Sequence, residues 1–348
     1  MKTYYRPTGL VFGADVPRMV RDGDALPLAG QGHVGFTQVD VITRREGVIE
    51  RDMQRIAGVD DSAALERLSA VRPAFAGLDL TVPRLMGIVN ITPDSFSDGG
   101  KLTSAAAAIS HGAQLAEEGA DILDVGGEST RPGSDTVAVE EELRRVLPVI
   151  EALAKGHLVS ADTRKSAVMS AALSAGARII NDVSALGHDG KSSGVAAAAR
   201  VPVVLMHAQG EPKTMQLQPR YDDVLLDVYD MLEGRVAAAE SAGIPRAMIA
   251  IDPGIGFGKT FRQNLDVMAG LTVFHGLGVP LLVGVSRKGF LGALTGEKTA
   301  GNRVNGSVGG VLQAALAGAH ILRVHDVKAT REALAVFTAA LHPDSADI

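Results

Sequence analysis

From about Leu85 onward, apolar residues fall into two alternating groupings. Short runs rich in Val, Ile and Leu occur at Leu85–Val89, Asp121–Val125, Leu158–Ala161, Arg178–Ile180, Pro202–Met206, Ala247–Ile251, Pro280–Val285 and Ala319–Val324. Each is too short for a typical helix and has the length of a buried strand. Between them lie longer amphipathic stretches, among them Ser104–Glu118, Glu140–Ala154, Lys165–Ala175, Asp222–Ala242, Gly306–Ala317 and Lys328–Leu341. Strands alternating with helices predict parallel βαβ units. Eight units over roughly 260 residues match the size of a (β/α)8 TIM barrel. A doubly wound open sheet would read the same way, but the polar residues favour the barrel. Nearly every run ends in a polar cluster: Asn90, Asp124, Asp162, Asn181 with Asp182, His207, Asp252, Ser286 to Lys288, and Arg323 with His325. A barrel gathers its C-terminal strand ends into one ring, whereas an open sheet spreads them along an edge.

Gly119-Ala120, Gly176-Ala177 and Gly318-Ala319 each precede a strand, which is the punctuation of a helix C-terminus followed by a short turn. Residues 1–75 break the pattern and form a small N-terminal extension to a barrel of residues 76–348. They hold a strand pattern near Gly35–Thr43, with imperfect alternation, and a polar helical stretch near Ala63–Val71. Leu78-Asp79-Leu80 reads as a short strand closing the barrel floor.

Composition narrows the chemistry. Apolar residues make up 46% of the 348 positions but aromatics only 4%, so the core must rely on Val, Ile, Leu and Ala, as in parallel strands buried on both faces. A net charge of -6, with no run of five basic residues, argues against nucleic-acid binding. The absence of cysteine excludes disulfides, thiolate nucleophiles and Cys-ligated metals. The start, Met1-Lys2-Thr3-Tyr4-Tyr5-Arg6-Pro7, lacks a signal-peptide core, and no apolar stretch approaches the ~20 residues that span a bilayer. The expectation is a soluble cytoplasmic protein.

Seven strand-end segments carry candidate chemistry, among them Ile179–Ser184, with Asn181 at a strand end, and Gly284–Gly292, whose Ser286, Arg287 and Lys288 can meet an anionic or carbonyl-bearing ligand. Asn90-Ile91-Thr92-Pro93-Asp94-Ser95-Phe96-Ser97-Asp98-Gly99-Gly100 is dense in oxygen donors of the kind Mg2+ uses alongside substrate phosphates, though a βα turn with Asx and Ser hydrogen bonds has the same composition. Asp124 to Gly133 turns sharply at Gly126-Gly127 and projects Arg131, whose guanidinium suits oxyanions. Asp162 could cap a helix or accept from the amidine-like edge of a heterocycle. Ile251-Asp252-Pro253-Gly254-Ile255-Gly256-Phe257-Gly258-Lys259-Thr260 ends like a phosphate-binding loop, but Pro253 stands where that motif needs glycine, so the match fails. Arg323 and His325 share a strand face, the arrangement of a pyrophosphate clamp. A lone strand-end histidine such as His207 is more often packed than catalytic, which gives it a supporting role.

Together the Asn90–Gly100, Gly126–Gly133, Asp252–Lys259, Ser286-Arg287-Lys288 and Arg323-Val324-His325-Asp326 motifs closely resemble the dihydropteroate synthase family, in the family's order and over about residues 78–341. Lys213-Thr214-Met215-Gln216 resembles its loop after strand five. The resemblance implies a pterin-binding barrel in which the amine of p-aminobenzoate displaces pyrophosphate from 6-hydroxymethyl-7,8-dihydropterin pyrophosphate, in folate synthesis. It implies that Asp162, Asn181 and Asp252 grip the pterin edge, Lys288 its carbonyl, and Met206 and Phe257 its faces. It further implies Mg2+ held partly by Asn90, with Arg323 and His325 on the pyrophosphate, Thr130 and Arg131 closing over the site, and Ser286 with the following helix start at the p-aminobenzoate carboxylate. A homodimer is expected from the family. Two alternatives are weighed. A pterin-dependent methyltransferase domain would need neither Thr130-Arg131 nor Ser286-Arg287-Lys288, and a non-catalytic pterin-binding protein would not need every charged position filled.

Overall fold

The computed structural model describes residues 1–91, 105–129, 134–210 and 214–341. The chain opens with an antiparallel sheet of β1 (Lys2–Phe12), β2 (Leu26–Pro27), β3 (Val34–Arg45) and β4 (Val48–Arg55), with α1 (Asp15–Asp22) after β1 and α2 (Ser62–Ser69) after β4. β1 runs along the whole of β3, from Lys2 opposite Arg44 to Phe12 opposite Val34. The imperfect alternation of Gly35–Thr43 has a physical cause: both faces of β3 are covered. Phe36 and Val39 pack with Leu28, Ile56 and Leu68 in a small core of the extension. Tyr4 and Ile42 instead join the core of the barrel.

The extension is fastened to the barrel at several points. Tyr4 meets Tyr229 edge to face at 5.3 Å and gives its hydroxyl to Asp230. Lys2 pairs with Asp230 and Glu233, and Arg44 with Asp227 at 2.6 Å. Pro7 O accepts from Thr272 Oγ1 at 2.8 Å, and Arg72 reaches His275 O at 3.1 Å.

The barrel follows with β5 (Arg84–Asn90), α3 (Ala105–Glu117), β6 (Ile122–Gly126), α4 (Val139–Leu153), β7 (Val159–Asp162), α5 (Ser166–Ser174), β8 (Ile179–Asp182), α6 (Ser192–Ala199), β9 (Val203–Met206), α7 (Val224–Ser241), β10 (Ile249–Asp252), α8 (Phe261–Ala269), β11 (Leu282–Val283), α9 (Gly289–Thr295), α10 (Val304–Leu316), β12 (Ile321–Val324) and α11 (Val327–Leu341). The eight strands pair in parallel in the order β10-β9-β8-β7-β6-β5-β12-β11. The ring closes between β10 and β11 only through an isolated bridge from Ile251 to Leu281, reinforced by Ile251 N–H to Pro280 O at 2.9 Å. The expected (β/α)8 barrel is therefore present, and no helix of the described residues is long and apolar enough to cross a membrane.

Local signals fix the boundaries. Gly119, Gly176 and Gly318 take φ of 101°, 111° and 78° where the helices end, a region costly for residues with a Cβ. Asp223 caps α7 through Leu225 N and Leu226 N, and Thr260 with Gln263 forms a capping box on α8. One expectation is corrected: Leu78-Asp79-Leu80 is not a strand. A bridge from Phe75 to Leu78 makes a tight turn there. The floor is closed by side chains, with Phe75 and Leu80 packed beneath Met86, Ile122, Ile179, Val204, Leu282 and Ile321.

Candidate active site

The polar strand ends converge at the C-terminal mouth. Arg323, on β12, lies across it: Nε donates to Asp124 Oδ2 at 2.7 Å and an Nη to Asp162 Oδ2 at 2.6 Å. Asn181 donates through Nδ2 to the same Asp124 oxygen at 2.9 Å, which leaves its carbonyl oxygen for a ligand. Asp124 Oδ1 is buried with no hydrogen-bond partner. A buried lone pair of this kind marks a place where a donor is missing. Asn90 stands in the same mouth, its Oδ1 3.6 Å from where a Cβ on Gly126 would sit.

These contacts decide the open reading of Asp162. The start of α5 has no side-chain cap, and the carboxylate faces the mouth. Burial pushes its pKa up to about 7; Arg323 pulls the other way, and Asp124 adds to the rise. Burial also resists the charge of Arg323, but the two carboxylates outweigh it and hold the guanidinium protonated. Arg323 is therefore already engaged by carboxylates, a partnership that the shared-face reading of Arg323 and His325 did not include. Asp182, one residue past Asn181, points to the other side and is structural, accepting from Ser184 and Leu186.

Opposite lies the turn after β10. Asp252 Oδ1 accepts from Gly254 N at 2.7 Å, and burial raises the pKa of this carboxyl. Gly254 has φ 65°, and a Cβ there would lie 1.8 Å from His207 O, so no side chain fits. Phe257 is half-buried, with Lys288 Nζ 4.0 Å from its ring centre, within cation–π range. Met206 is buried beside this turn, and Gln216 Nε2 covers it by donating to Gly256 O at 2.7 Å. His325 Nδ1 lies 3.0 Å from Ser286 Oγ, which also accepts from His325 N. Arg287, next to Ser286, turns away and grips Asp326 through two nitrogens.

Asn90, Asp162, Asn181, Met206, Asp252, Phe257, Ser286, Lys288, Arg323 and His325 thus all lie at the strand ends around one mouth. Thr130 and Arg131 lie outside the described residues, as do Thr92–Gly100 and Lys213. Sequence reasoning missed Asp124 as a site residue, although its strand-end position was the available signal. It also missed a buried ionic cluster behind the mouth. Lys165 Nζ contacts Glu128, Glu142 and Val137 O, while Arg164 binds Glu128 at 2.8 Å and Thr163 Oγ1 donates to Glu142 at 2.6 Å. The cluster ties the base of the Gly126–Val137 segment to the end of β7. Lys165→Met leaves the buried Glu142 without a cation, while Glu128 keeps Arg164, and breaking such a buried pair costs about 3–5 kcal/mol. Thermal unfolding should drop by about 10 °C; a midpoint within 2 °C of wild type would mean that the cluster contributes little.

Comparison with known proteins gives a consistent picture. The family described as pterin binding enzyme matches residues 86–325. The dihydropteroate synthase of Escherichia coli (strain K12) is 48% identical over 266 residues, covering 76% of this chain and 94% of that protein. That of Neisseria meningitidis serogroup B (strain ATCC BAA-335 / MC58) is 49% identical over 268 residues, covering 75% and 94%. Among solved structures, Xanthomonas albilineans dihydropteroate synthase with 4-aminobenzoic acid aligns with a TM-score of 0.73 and 51% identity, covering 79% of this chain and 99% of that one. The same enzyme in complex with 7,8-dihydropteroate aligns at 0.69 and 49%, covering 78% and 97%. The family match begins at Met86, leaving the N-terminal sheet outside it.

Proposed function

The chain belongs to the pterin binding enzyme family as a dihydropteroate synthase, and we propose that its barrel mouth divides the work between a pterin-gripping half and a pyrophosphate-releasing half. The enzyme is a transferase: the p-aminobenzoate nitrogen bonds to the pterin methylene carbon, the carbon–oxygen bond to pyrophosphate breaks, and the amine loses a proton. The methyltransferase and non-catalytic readings give way to this one, because relatives matched over nearly their whole length are synthases.

The observation that carries the division is the placement of Arg323 between Asp124 and Asp162, with Asp252 and Lys288 at the neighbouring strand ends on its other side. A pterin presents several N–H donors on one edge. Buried carboxylates facing donors form short, charge-assisted hydrogen bonds. Asp162, Asp252 and the carbonyl of Asn181 supply the acceptors, Lys288 the donor for the ring carbonyl, and Met206 and Phe257 the flat walls. Pterin donors that engage Asp162 loosen its hold on Arg323, which with His325 then meets the leaving phosphates. p-Aminobenzoate is a weak neutral nucleophile, so stabilising the departing charge is where the protein contributes most to the rate. Ser286, oriented by His325, and the start of α9 serve the p-aminobenzoate carboxylate, and Thr130 with Arg131 complete that pocket.

Mg2+ fits the donor set at one point. Among the described residues no three His, Cys, Asp or Glu side chains gather as a metal site. Asn90 nevertheless offers a neutral oxygen at the mouth, and Mg2+ takes few protein ligands when substrate phosphates supply the rest. When bound there it would neutralise charge on the leaving pyrophosphate. We further place the enzyme in the cytoplasm as a homodimer, following the family resemblance. The sulfonamide complex of the Yersinia pestis relative supports competition between sulfonamides and p-aminobenzoate here as well.

Purified protein with Mg2+ should release pyrophosphate only when both substrates are present, and chelation with EDTA should suppress it at least tenfold. Release that ignores p-aminobenzoate would overturn the assignment of the second substrate.

A further inference from the structure

Lys259 is buried, 2% exposed, at the end of the segment that resembled a phosphate loop. Its ammonium is taken up entirely by protein acceptors. Nζ lies 2.9 Å from His207 Nδ1, 2.9 Å from Gly254 O and 3.2 Å from Phe257 O. An ammonium has three N–H donors, and here all three go to neutral acceptors with no carboxylate among them. Burying a charge without a hydrogen-bonded counter-ion is costly, so the arrangement needs a return beyond packing. Burial pulls the pKa of this ammonium down to about 7; the charge of Asp252 favours the protonated form against it.

We propose that Lys259 is a positioning residue that, through His207, staples the turn after β10 to the end of β9 and thereby shapes the pterin pocket. The inference rests on the pterin-gripping role proposed above for Asp252 and Phe257. The staple acts on both. Gly254 gives its N–H to Asp252 Oδ1 and its carbonyl to Lys259. Phe257 gives its carbonyl to Lys259 while its ring lies under Lys288. The turn touches the β9 end directly, since a Cβ on Gly254 would meet His207 O. His207 N also donates to Asp252 O at 2.9 Å. One ammonium thus holds the backbone at Gly254, two residues past the edge-binding carboxylate, and at Phe257, which carries the face-binding ring, and its three acceptors are on the β10 turn and His207. An ammonium that donates to Nδ1 places the imidazole proton on Nε2. Burial and the nearby ammonium hold this ring neutral, its pKa down to about 3.

The test uses full-length wild type, Lys259→Met, His207→Asn and the double variant. Calorimetry measures the affinity for 6-hydroxymethyl-7,8-dihydropterin pyrophosphate, and steady-state kinetics measures the KM for p-aminobenzoate. Lys259→Met should weaken pterin binding about 30-fold or more and leave the p-aminobenzoate KM within threefold. His207→Asn should lose a similar factor, and the double variant little beyond either single, because both remove one linkage. A folded Lys259→Met protein with wild-type pterin affinity overturns the staple, as does equal loss for both substrates. Should Lys259→Met fail to fold, the imidazole 15N spectrum of the wild type decides, with His207 assigned by the signal lost in His207→Asn. A neutral Nε2–H tautomer from pH 5.5 to 8 supports the staple, and titration or the opposite tautomer overturns it. Wild type that binds no pterin would instead overturn the functional reading beneath it.

Discussion

Asp252→Asn is expected to weaken binding of the pterin substrate by about two orders of magnitude while leaving the fold intact. The carboxylate is 5% exposed at the end of β10, and Oδ1 is occupied by Gly254 N at 2.7 Å. The carboxamide of asparagine can keep that bond through its oxygen, so the turn survives. The other oxygen becomes an NH2 group, which turns a donor toward the donors of the pterin edge. A charge-assisted bond worth about 1.5–3 kcal/mol is lost and a donor is left facing a donor, at a further ~1–3 kcal/mol. About 3 kcal/mol is two decades in affinity. Calorimetry with the pterin substrate and a thermal melt check both halves. Unchanged affinity would remove Asp252 from the pterin site, and a collapsed melting temperature would make its role structural.

Deleting residues 1–72 should destabilise the barrel itself, lowering the unfolding temperature by about 10 °C or more. Three acidic residues of α7, Asp227, Asp230 and Glu233, are neutralised from the extension by Arg44 and Lys2. Without those cations they stand as like charges three residues apart on one helix, which repel. Tyr229, stacked on Phe274 at 6.5 Å, loses the edge contact of Tyr4. Re-exposing a buried aromatic or branched side chain costs about 1.5–3 kcal/mol. Several such losses amount to ~5 kcal/mol, and for a domain of this size each kcal/mol is worth roughly 2–4 °C. Differential scanning fluorimetry of residues 73–348 against the full chain checks this. Equal melting temperatures would mean that the extension is only a passenger on the barrel.

The barrel was legible because its strands are buried on both faces. A continuous apolar run such as Pro202–Met206 has few alternatives, and the structure places β9 at Val203–Met206. The extension was legible only in part. β1 runs through Pro7 and Gly9, two residues that weaken any strand reading, and it is held by pairing with β3 rather than by its own pattern. The Ala-rich α6 and the short α9 escaped for want of amphipathic length. In the site, single-residue positions were readable and partnerships were not. Arg323 was visible as a strand-end cation, but its engagement with Asp124 and Asp162 depends on three strands distant in sequence. Lys259 was visible only as a failed phosphate-loop lysine, since its inward course is set by Gly254, Gly256 and Gly258 at φ of 65°, 85° and 59°.

The join between β10 and β11 closes the cylinder through one bridge, from Ile251 to Leu281. Asp252 stands at the end of one of these strands and Ser286 to Lys288 just beyond the other. A molecule held by Asp252 and Lys288 at once therefore spans the thinnest seam of the cylinder, as a rivet spans two plates. Occupancy and resistance to unfolding are then linked by mass action: the substrate that the seam admits is also what holds the seam shut.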